Sequence, residues 1–248
     1  MKKTLLIAAA ALAAGVITSQ AQVYSQNIVG YVNQPIANGF NILGNPLDAA
    51  SGNGVTNLIN NATGAYDGAT LFVWNGAGYS IYTLDSGQPT GVGNATDSAA
   101  VLGPVLNTGV SFYLNNNTGV ANTNTYVGTV HADTAATGVQ VVGTTTNTIT
   151  TGQHFFASKL PIGGGLASVL QFPALSGALD GATIFIPNIT GTPAGVHGYA
   201  IYTVDSGQPS GFGNATDSAG VPEPVLGVGA GIIINNNTGT PANWIQAL

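Results

Sequence analysis

The stretch GYSIYTLDSGQPTGVGNATDSA, residues 78–99, recurs almost unchanged as GYAIYTVDSGQPSGFGNATDSA, residues 198–219. At this offset of 120 residues, 18 of the 22 positions are identical. Upstream, residues 67–75 match residues 180–188 at an offset of 113, with six of nine positions identical. Self-similarity over a domain-sized length indicates a tandem duplication. We therefore predict two β repeats, residues 22–130 and 131–248, called here the first and second copies.

Short runs of apolar, β-branched and aromatic residues, separated by Gly, Asn, Asp or Pro, fill both copies. Runs such as Leu71–Trp74 and Tyr79–Leu84 are typical of short antiparallel strands. Helical periodicity is weak, and only Val55–Asn60 and Leu166–Phe172 could make one or two turns. The sequence therefore predicts an all-β protein of two tandem antiparallel β-sandwich or partly open barrel repeats, with at most one short helix each.

The composition excludes several classes of protein. Charged residues make up 5% of the chain, where about 25% is ordinary, and nine acidic residues face three Lys and no Arg. So few cations cannot neutralise a phosphate backbone, and we expect no nucleic-acid partner. The chain has no Cys, which excludes disulfides, thiol catalysis and Cys-ligated metals.

Residues 1–21 have the three parts of a secretory signal peptide. Lys2 and Lys3 precede an apolar run rich in Ala and Leu, and Ser19-Gln20-Ala21 supplies a small-x-small cleavage site. The apolar run is short for a membrane span, which needs about 20 residues. We expect export to the cell surface or extracellular space, with the periplasm left open, and no transmembrane segment in the mature chain.

The phrases Val23–Val32, Gly39–Leu47, Ala69–Tyr79 and Thr108–Asn117 occur in an order that resembles uncharacterised exported β-repeat proteins common in verrucomicrobial-type bacteria. The resemblance covers nearly the whole mature chain. The second copy departs from it, for example with Pro187 where the first copy has Trp74. The resemblance implies an extracytoplasmic β module, often part of the envelope or outer surface, and transfers no catalytic residue.

Two acidic loops, residues 85–97 and 205–217, are the most chemically suggestive motif and are called here the twin loops. Each offers several side-chain oxygens, which are the ligands that Ca²⁺ prefers. The alternative is that these side chains cap turns through hydrogen bonds to nearby backbone N–H groups. The candidate ligand-binding or Ca²⁺-binding residues are Asp85, Asn94, Thr96, Asp97, Asp205, Asn214, Thr216 and Asp217.

Aromatic side chains in strands are candidates for stacking against sugar rings, namely Trp74, Tyr79 and Tyr199. Tyr79 and Tyr82 are three positions apart, so strict alternation places them on opposite faces of a sheet. The alternative for each Tyr is ordinary half-burial with a hydrated hydroxyl group.

No catalytic motif is found. His131, His154 and His197 lie in unrelated contexts, and we expect His131, near the junction of the copies, to be exposed. The chain has a single Glu, Glu223, which weakens a glycosidase hypothesis because that reaction needs paired carboxyl groups. The Asn runs at residues 115–117 and 235–237 indicate either simple turns or the lips of edge strands, and strand edges without Lys favour self-association.

These observations rank three functions. The first is a non-catalytic exported structural or adhesive protein of the cell surface or extracellular space, with an envelope component or a second copy of the chain as partner. The second is a carbohydrate-binding module that recognises an extracellular glycan, with or without Ca²⁺. The third is a glycoside hydrolase; we expect no enzymatic activity.

Overall fold

A computed structural model describes residues 29–134, 140–188 and 198–248 of the chain. The predicted signal peptide, residues 1–21, and His197 lie outside the described residues. Among the residues that are described, no helix has the length and apolar character needed to cross a bilayer.

Within residues 29–130 the first copy forms seven strands and one short helix, and a hairpin lies between these elements and the remaining strands of the second copy. Its elements are β1 (Val29–Ile36), β2 (Gly39–Gly44), α1 (Val55–Leu58), β3 (Thr70–Trp74), β4 (Tyr79–Leu84), β5 (Val92–Asn94), β6 (Ser111–Asn116) and β7 (Asn122–Thr129). The junction hairpin consists of β8 (Ala132–Thr134) and β9 (Gln140–Val142).

The second copy repeats this order with two additional short strands. Its strands are β10 (Thr144–Ile149), β11 (Gly152–Ala157), β12 (Gly164–Gly165), β13 (Thr183–Asn188), β14 (Gly198–Val204), β15 (Phe212–Asn214), β16 (Val225–Leu226), β17 (Gly231–Asn236) and β18 (Ala242–Ala247). Where the sequence allowed a helix at Leu166–Phe172, the chain forms turns, followed by a 3₁₀ turn at Ala174–Ser176. Gln171 has a φ of +58° and Pro173 follows it, and both features oppose a helix.

Each copy is built on one five-stranded antiparallel sheet. The strand order is β2-β6-β3-β4-β5 in the first copy and β11-β17-β13-β14-β15 in the second. A two-stranded sheet, β1-β7 or β10-β18, packs over one face of each. Ile36 and Tyr126 of the β1-β7 pair share a buried core with Leu71 and Phe112 of the five-stranded sheet. The predicted all-β, sandwich-like fold is confirmed.

The two faces of each five-stranded sheet have different partners, because alternate residues point to opposite sides. Leu71 and Leu114 point inward and are fully buried in the core of their own copy. Phe72 follows Leu71 in β3, and Tyr113 precedes Leu114 in β6. Both therefore point to the outer face. The outer faces are therefore apolar too, and they need a second cover.

The outer faces of the two sheets cover each other. Ile42 of the first copy and Phe155 and Ile233 of the second form a separate buried cluster, against which Trp74 and Tyr113 pack. This cluster contains no residue of either copy's own core. Burial of apolar side chains contributed by both copies stabilises their association.

An approximate two-fold axis relates the copies. The Gly44 N–H donates to the Gly229 carbonyl at 2.8 Å, and the Ala157 N–H donates to the Gly109 carbonyl at 3.0 Å. Gly44 corresponds to Ala157 at the 113-residue offset, and Gly109 corresponds to Gly229 at the 120-residue offset. Each contact is thus the counterpart of the other, as in the self-complementary interface of a two-fold dimer.

Two glycines let the backbones approach near this axis. A Cβ atom on Gly44 would collide with the Cβ of Ala157, and one on Gly231 would collide with the side chain of Ser111. Gly44 and Ala157 are equivalent positions, as are Ser111 and Gly231. In each pair one copy has a residue with a side chain and the other has Gly. These small residues therefore determine how closely the sheets pack.

Candidate functional site

An aromatic cleft opens where the outer faces of the two sheets diverge. It has a volume of about 410 Å³, which is in the range of small-ligand sites. Both copies contribute to its walls, so it exists only in the packed arrangement. The lining residues, which together are called the cleft, are Phe40, Ile42, Phe72, Tyr79, Tyr113, Pro187, Gly198 and Tyr199.

Strand register positions the aromatic side chains of the cleft. In the first copy, Phe72 of β3 lies opposite Tyr113 of β6, and Tyr79 begins β4. Their ring centroids are 5.9 Å apart for Tyr79 and Tyr113 and 6.2 Å for Phe72 and Tyr79, distances typical of aromatic pairs. Phe40 extends the wall at 6.3 Å from Tyr113. Rings that support one another in this way form a fixed surface.

Three tyrosine hydroxyl groups supply the polarity of the cleft. The Tyr113 and Tyr199 hydroxyls hydrogen-bond to each other across the boundary between the copies. Burial, and then the adjacent Tyr199 hydroxyl, raise the pKa of Tyr113 far above its usual range, and burial also raises the pKa of Tyr79. None of the eight described lining residues carries a formal charge. The described residues therefore form a neutral surface with hydroxyl donors and acceptors.

The cleft is open on one side of the two-fold axis because the copies differ there. Trp74 of the first copy stacks on Phe155 with ring centroids 5.7 Å apart. The equivalent of Trp74 is Pro187, and the equivalent of Phe155 is Ile42, and both of these line the cleft. The small proline ring leaves open the space that an indole ring occupies at the counterpart position.

The counterpart side has a different groove. It has a volume of about 320 Å³, lies against Trp74, and includes Gln153 and His154 among its lining residues. Gln153 stands where the first copy has Phe40, so this groove is more polar. The duplicated sheets thus form two unlike concave surfaces.

The structure brings together the aromatic residues that the sequence singled out. Tyr79 and Tyr199 both line the cleft and are 39% and 43% exposed. The ring centroids of Trp74 and Tyr79 are 5.2 Å apart. Tyr82 packs against the first core, so Tyr79 and Tyr82 lie on opposite faces as alternation predicts.

Sequence reasoning missed Phe40, Phe72 and Tyr113 as members of the site. The signal that could have found two of them is the difference between the copies. Phe40 and Tyr113 stand opposite Gln153 and Ile233 in the repeat alignment, at positions where alternation puts both on the outer face.

The twin loops use their side chains in turns. In the first loop the Asp85 carboxylate accepts from the Gly87 N–H at 2.9 Å, and the Asn94 side-chain oxygen accepts from the Thr96 and Asp97 N–H groups at 2.8 and 2.9 Å. The Asp97 carboxylate accepts from the Ala99 N–H at 3.0 Å. These are the turn-capping bonds that the sequence offered as the alternative to Ca²⁺ binding.

The second twin loop repeats this arrangement almost atom for atom. Asp205 accepts from the Gly207 N–H at 2.9 Å, Asn214 accepts from the Thr216 and Asp217 N–H groups at 2.8 and 3.0 Å, and Asp217 accepts from the Ala219 N–H at 3.0 Å. Within residues 29–134, 140–188 and 198–248, no group of three or more His, Cys, Asp or Glu side chains is arranged to hold a metal ion.

The twin loops also cover the outer edge of each sheet. The Asn94 N–H donates to the Ala99 carbonyl, and Asn214 does the same to Ala219, both at 2.9 Å. The chain after each loop thus runs back along β5 or β15. The Asn runs lie where interior strands end: Asn116 is the last residue of β6 and Asn236 the last residue of β17. Both side chains are buried and donate to backbone carbonyls in the turns that follow.

His131 is half-buried rather than exposed, which corrects the expectation. Its Nδ1 lies 2.6 Å from an oxygen of Asp48 and its Nε2 lies 3.0 Å from an oxygen of Asp133. Lys159 of the second copy donates to the same Asp133 oxygen at 3.1 Å. These four residues, called here the junction cluster, tie the first copy, the junction hairpin and the second copy together. The sequence concealed this because Asp48 lies 83 residues from His131.

Comparison of the chain with protein-family models, with curated proteins and with solved structures finds no match.

Proposed function

We propose that this protein is a non-catalytic exported adhesive protein that attaches to a component of the cell surface or extracellular space through the cleft. The observation that carries the proposal is the cleft itself, a concave surface of exposed aromatic rings contributed by both copies. Phe40 and Tyr199 are 50% and 43% exposed. Exposed aromatic rings grouped in a concavity are typical of recognition sites.

The chemistry of the cleft supports binding rather than catalysis. Its hydroxyl groups belong to tyrosines whose raised pKa values keep Tyr79 and Tyr113 neutral near pH 7. Neutral phenols are weak bases, so they suit hydrogen bonding more than proton abstraction. Export is supported by the three-part signal sequence at residues 1–21.

The test is the binding of purified residues 22–248 to isolated cell envelopes and to extracellular polysaccharide of the cells that produce the protein. We expect saturable co-sedimentation. Tyr199→Ala should weaken it by about tenfold or more, since centrally placed tyrosines commonly dominate binding. Ile201→Ala is the matched control because Ile201 lies in the same strand, is equally exposed at 43%, and does not line the cleft.

Absence of binding to both materials would contradict the proposal, as would an equal loss in Tyr199→Ala and Ile201→Ala. Mass analysis of the secreted protein tests export separately. We expect a chain that begins at Gln22, and full-length protein retained in the cytoplasm would contradict export.

A further inference from the structure

The cleft constrains its ligand in size and charge. Its volume of about 410 Å³ is near the lower end of the range for small-ligand sites, so it suits one or two rings rather than a long chain. No formally charged side chain stands among its described lining residues, so these residues offer no partner for an ionised ligand group. An ionised group buried against them would lack a counter-charge, so the described lining favours a neutral ligand.

The ligand must also match two kinds of surface. The rings of Phe40, Phe72 and Tyr79 offer apolar faces, and aromatic faces carry a partial negative charge that attracts polarised C–H groups. The hydroxyls of Tyr79, Tyr113 and Tyr199 offer donors and acceptors. A purely hydrocarbon ligand would cover these hydroxyls without replacing their water, which is unfavourable. A pyranose ring has C–H groups on its faces and hydroxyls around its rim, so it satisfies both surfaces.

Among the described residues, the two sides of the two-fold axis differ at the equivalent positions Trp74 and Pro187. Trp74 occupies its position by stacking on Phe155, whereas Pro187 leaves the equivalent position beside Ile42 open. The groove against Trp74 lacks the tyrosines that line the cleft.

We propose that the cleft binds a single neutral pyranose unit of a glycan, and that Pro187 determines this specificity by leaving open the space that Trp74 fills in the other copy. This inference rests on the proposed function, because it names the ligand of the same site. Pro187 is a positioning residue: it admits the ring, and the tyrosines contact it.

The experiment is a titration of purified residues 22–248 by NMR with methyl β-glucopyranoside, methyl β-galactopyranoside and cellobiose, with 4-methylphenol as a ring without sugar hydroxyls. We expect at least one sugar to bind saturably at a single site and to shift the aromatic resonances of Tyr79 and Tyr199. Tyr199→Phe removes one hydroxyl and should weaken the sugar by about threefold to tenfold. Tyr202→Phe, three residues along the strand on the opposite face, should change nothing.

Pro187→Trp should reduce sugar affinity more than tenfold by filling the cleft. If that variant does not fold, Tyr79→Phe and Tyr199→Phe test the same contacts with a smaller change. Failure of every sugar to bind at millimolar concentration overturns the inference, as does sugar binding that Pro187→Trp and both Tyr→Phe variants leave unchanged. Binding of 4-methylphenol without any sugar also overturns it, yet leaves the proposed function standing if envelope binding still depends on Tyr199.

Discussion

The two copies share a backbone plan but differ on the face where they meet. Their twin loops match in sequence and in hydrogen bonds, with Asp97 and Asp217 each accepting from a backbone N–H at 3.0 Å. The outer sheet faces differ at Trp74 and Pro187, and at Phe40 and Gln153. The loops thus form the same local turns in both copies. The outer faces differ, and this difference opens the cleft on one side of the two-fold arrangement.

The largest expected effect is a difference in stability between variants at the equivalent positions Trp74 and Pro187. Trp74→Ala removes the stack on Phe155 and the edge contact with Tyr79. Because Trp74 is only partly buried, we expect the free energy of unfolding to fall by about 2–4 kcal/mol. Pro187→Ala should change it by less than about 1 kcal/mol. Urea unfolding measures the change in the free energy of unfolding for each variant. Equal losses would show that Trp74 and Pro187 contribute equally to the packing of the outer faces, which would contradict this prediction.

The next effect tests the close approach of the copies. Gly44→Ala places a methyl group against Ala157, and we expect a loss of about 1–3 kcal/mol from overpacking. Because the two positions are equivalent, adding Ala157→Gly should restore more than half of the loss. Gly78→Ala is a control with open space around the new Cβ. Additive effects in the double variant would contradict direct contact.

The junction cluster predicts a dependence on pH. A neutral imidazole donates one hydrogen bond, so His131 between two carboxylates favours the protonated form, and the hydrogen bond to Asp48 raises its pKa. Burial opposes ionisation of Asp48 and Asp133. Even so, the hydrogen bonds from His131 and Asn53 to Asp48, and those from Thr146 and Lys159 to Asp133, hold both carboxyl pKa values below their usual range.

The stabilisation by His131 is therefore fully present below the unfolded-state pKa of about 6.5 and is lost as pH rises through the raised folded-state value. The carboxylate contribution is present above about pH 4 and is lost on acidification. We expect the free energy of unfolding of the wild type to exceed that of His131→Gln by about 1 kcal/mol between pH 4 and 6.5, and by less at pH 9. His154→Gln, where the ring bonds to Thr150, controls for loss of an imidazole. A constant difference across this range would rule out the linkage.

The smallest effect tests the similarity of the twin loops. Asn94→Ala and Asn214→Ala each remove an acceptor for two backbone N–H groups, and we expect equal losses of about 0.5–1 kcal/mol. Addition of Ca²⁺ or of a chelator should leave the melting temperature unchanged, because the carboxylates already hold backbone donors. A saturable rise with Ca²⁺ would instead establish the loops as metal sites.

The sequence predicted what depends on local chemistry. Strand runs such as Tyr79–Leu84 and the opposite orientation of Tyr79 and Tyr82 follow from alternation and turn residues. The tyrosine candidates Tyr79 and Tyr199 proved to share one surface.

The sequence could not predict what depends on contacts between the copies. Alternation shows that Phe72 and Tyr113 lie on an outer face, but it does not show what covers that face. The partners of His131 are distant in sequence or lie across the junction, and no local pattern marks them. The sequence shows that equivalent positions differ, as Trp74 and Pro187 do. The effect of this difference on the cleft depends on the two-fold packing of the copies, which the sequence does not show.

The most direct test of the account is an aromatic-selective NOESY spectrum of the mature chain, residues 22–248. If the outer faces of the copies pack together, we expect cross-peaks between the Trp74 indole and the Phe155 ring, which belong to different copies and have centroids 5.7 Å apart. The Trp74 to Tyr79 cross-peaks within the first copy, at 5.2 Å, provide the internal reference. If the reference cross-peaks appear and those between the copies do not, the outer faces do not pack together, and the shared cleft does not exist.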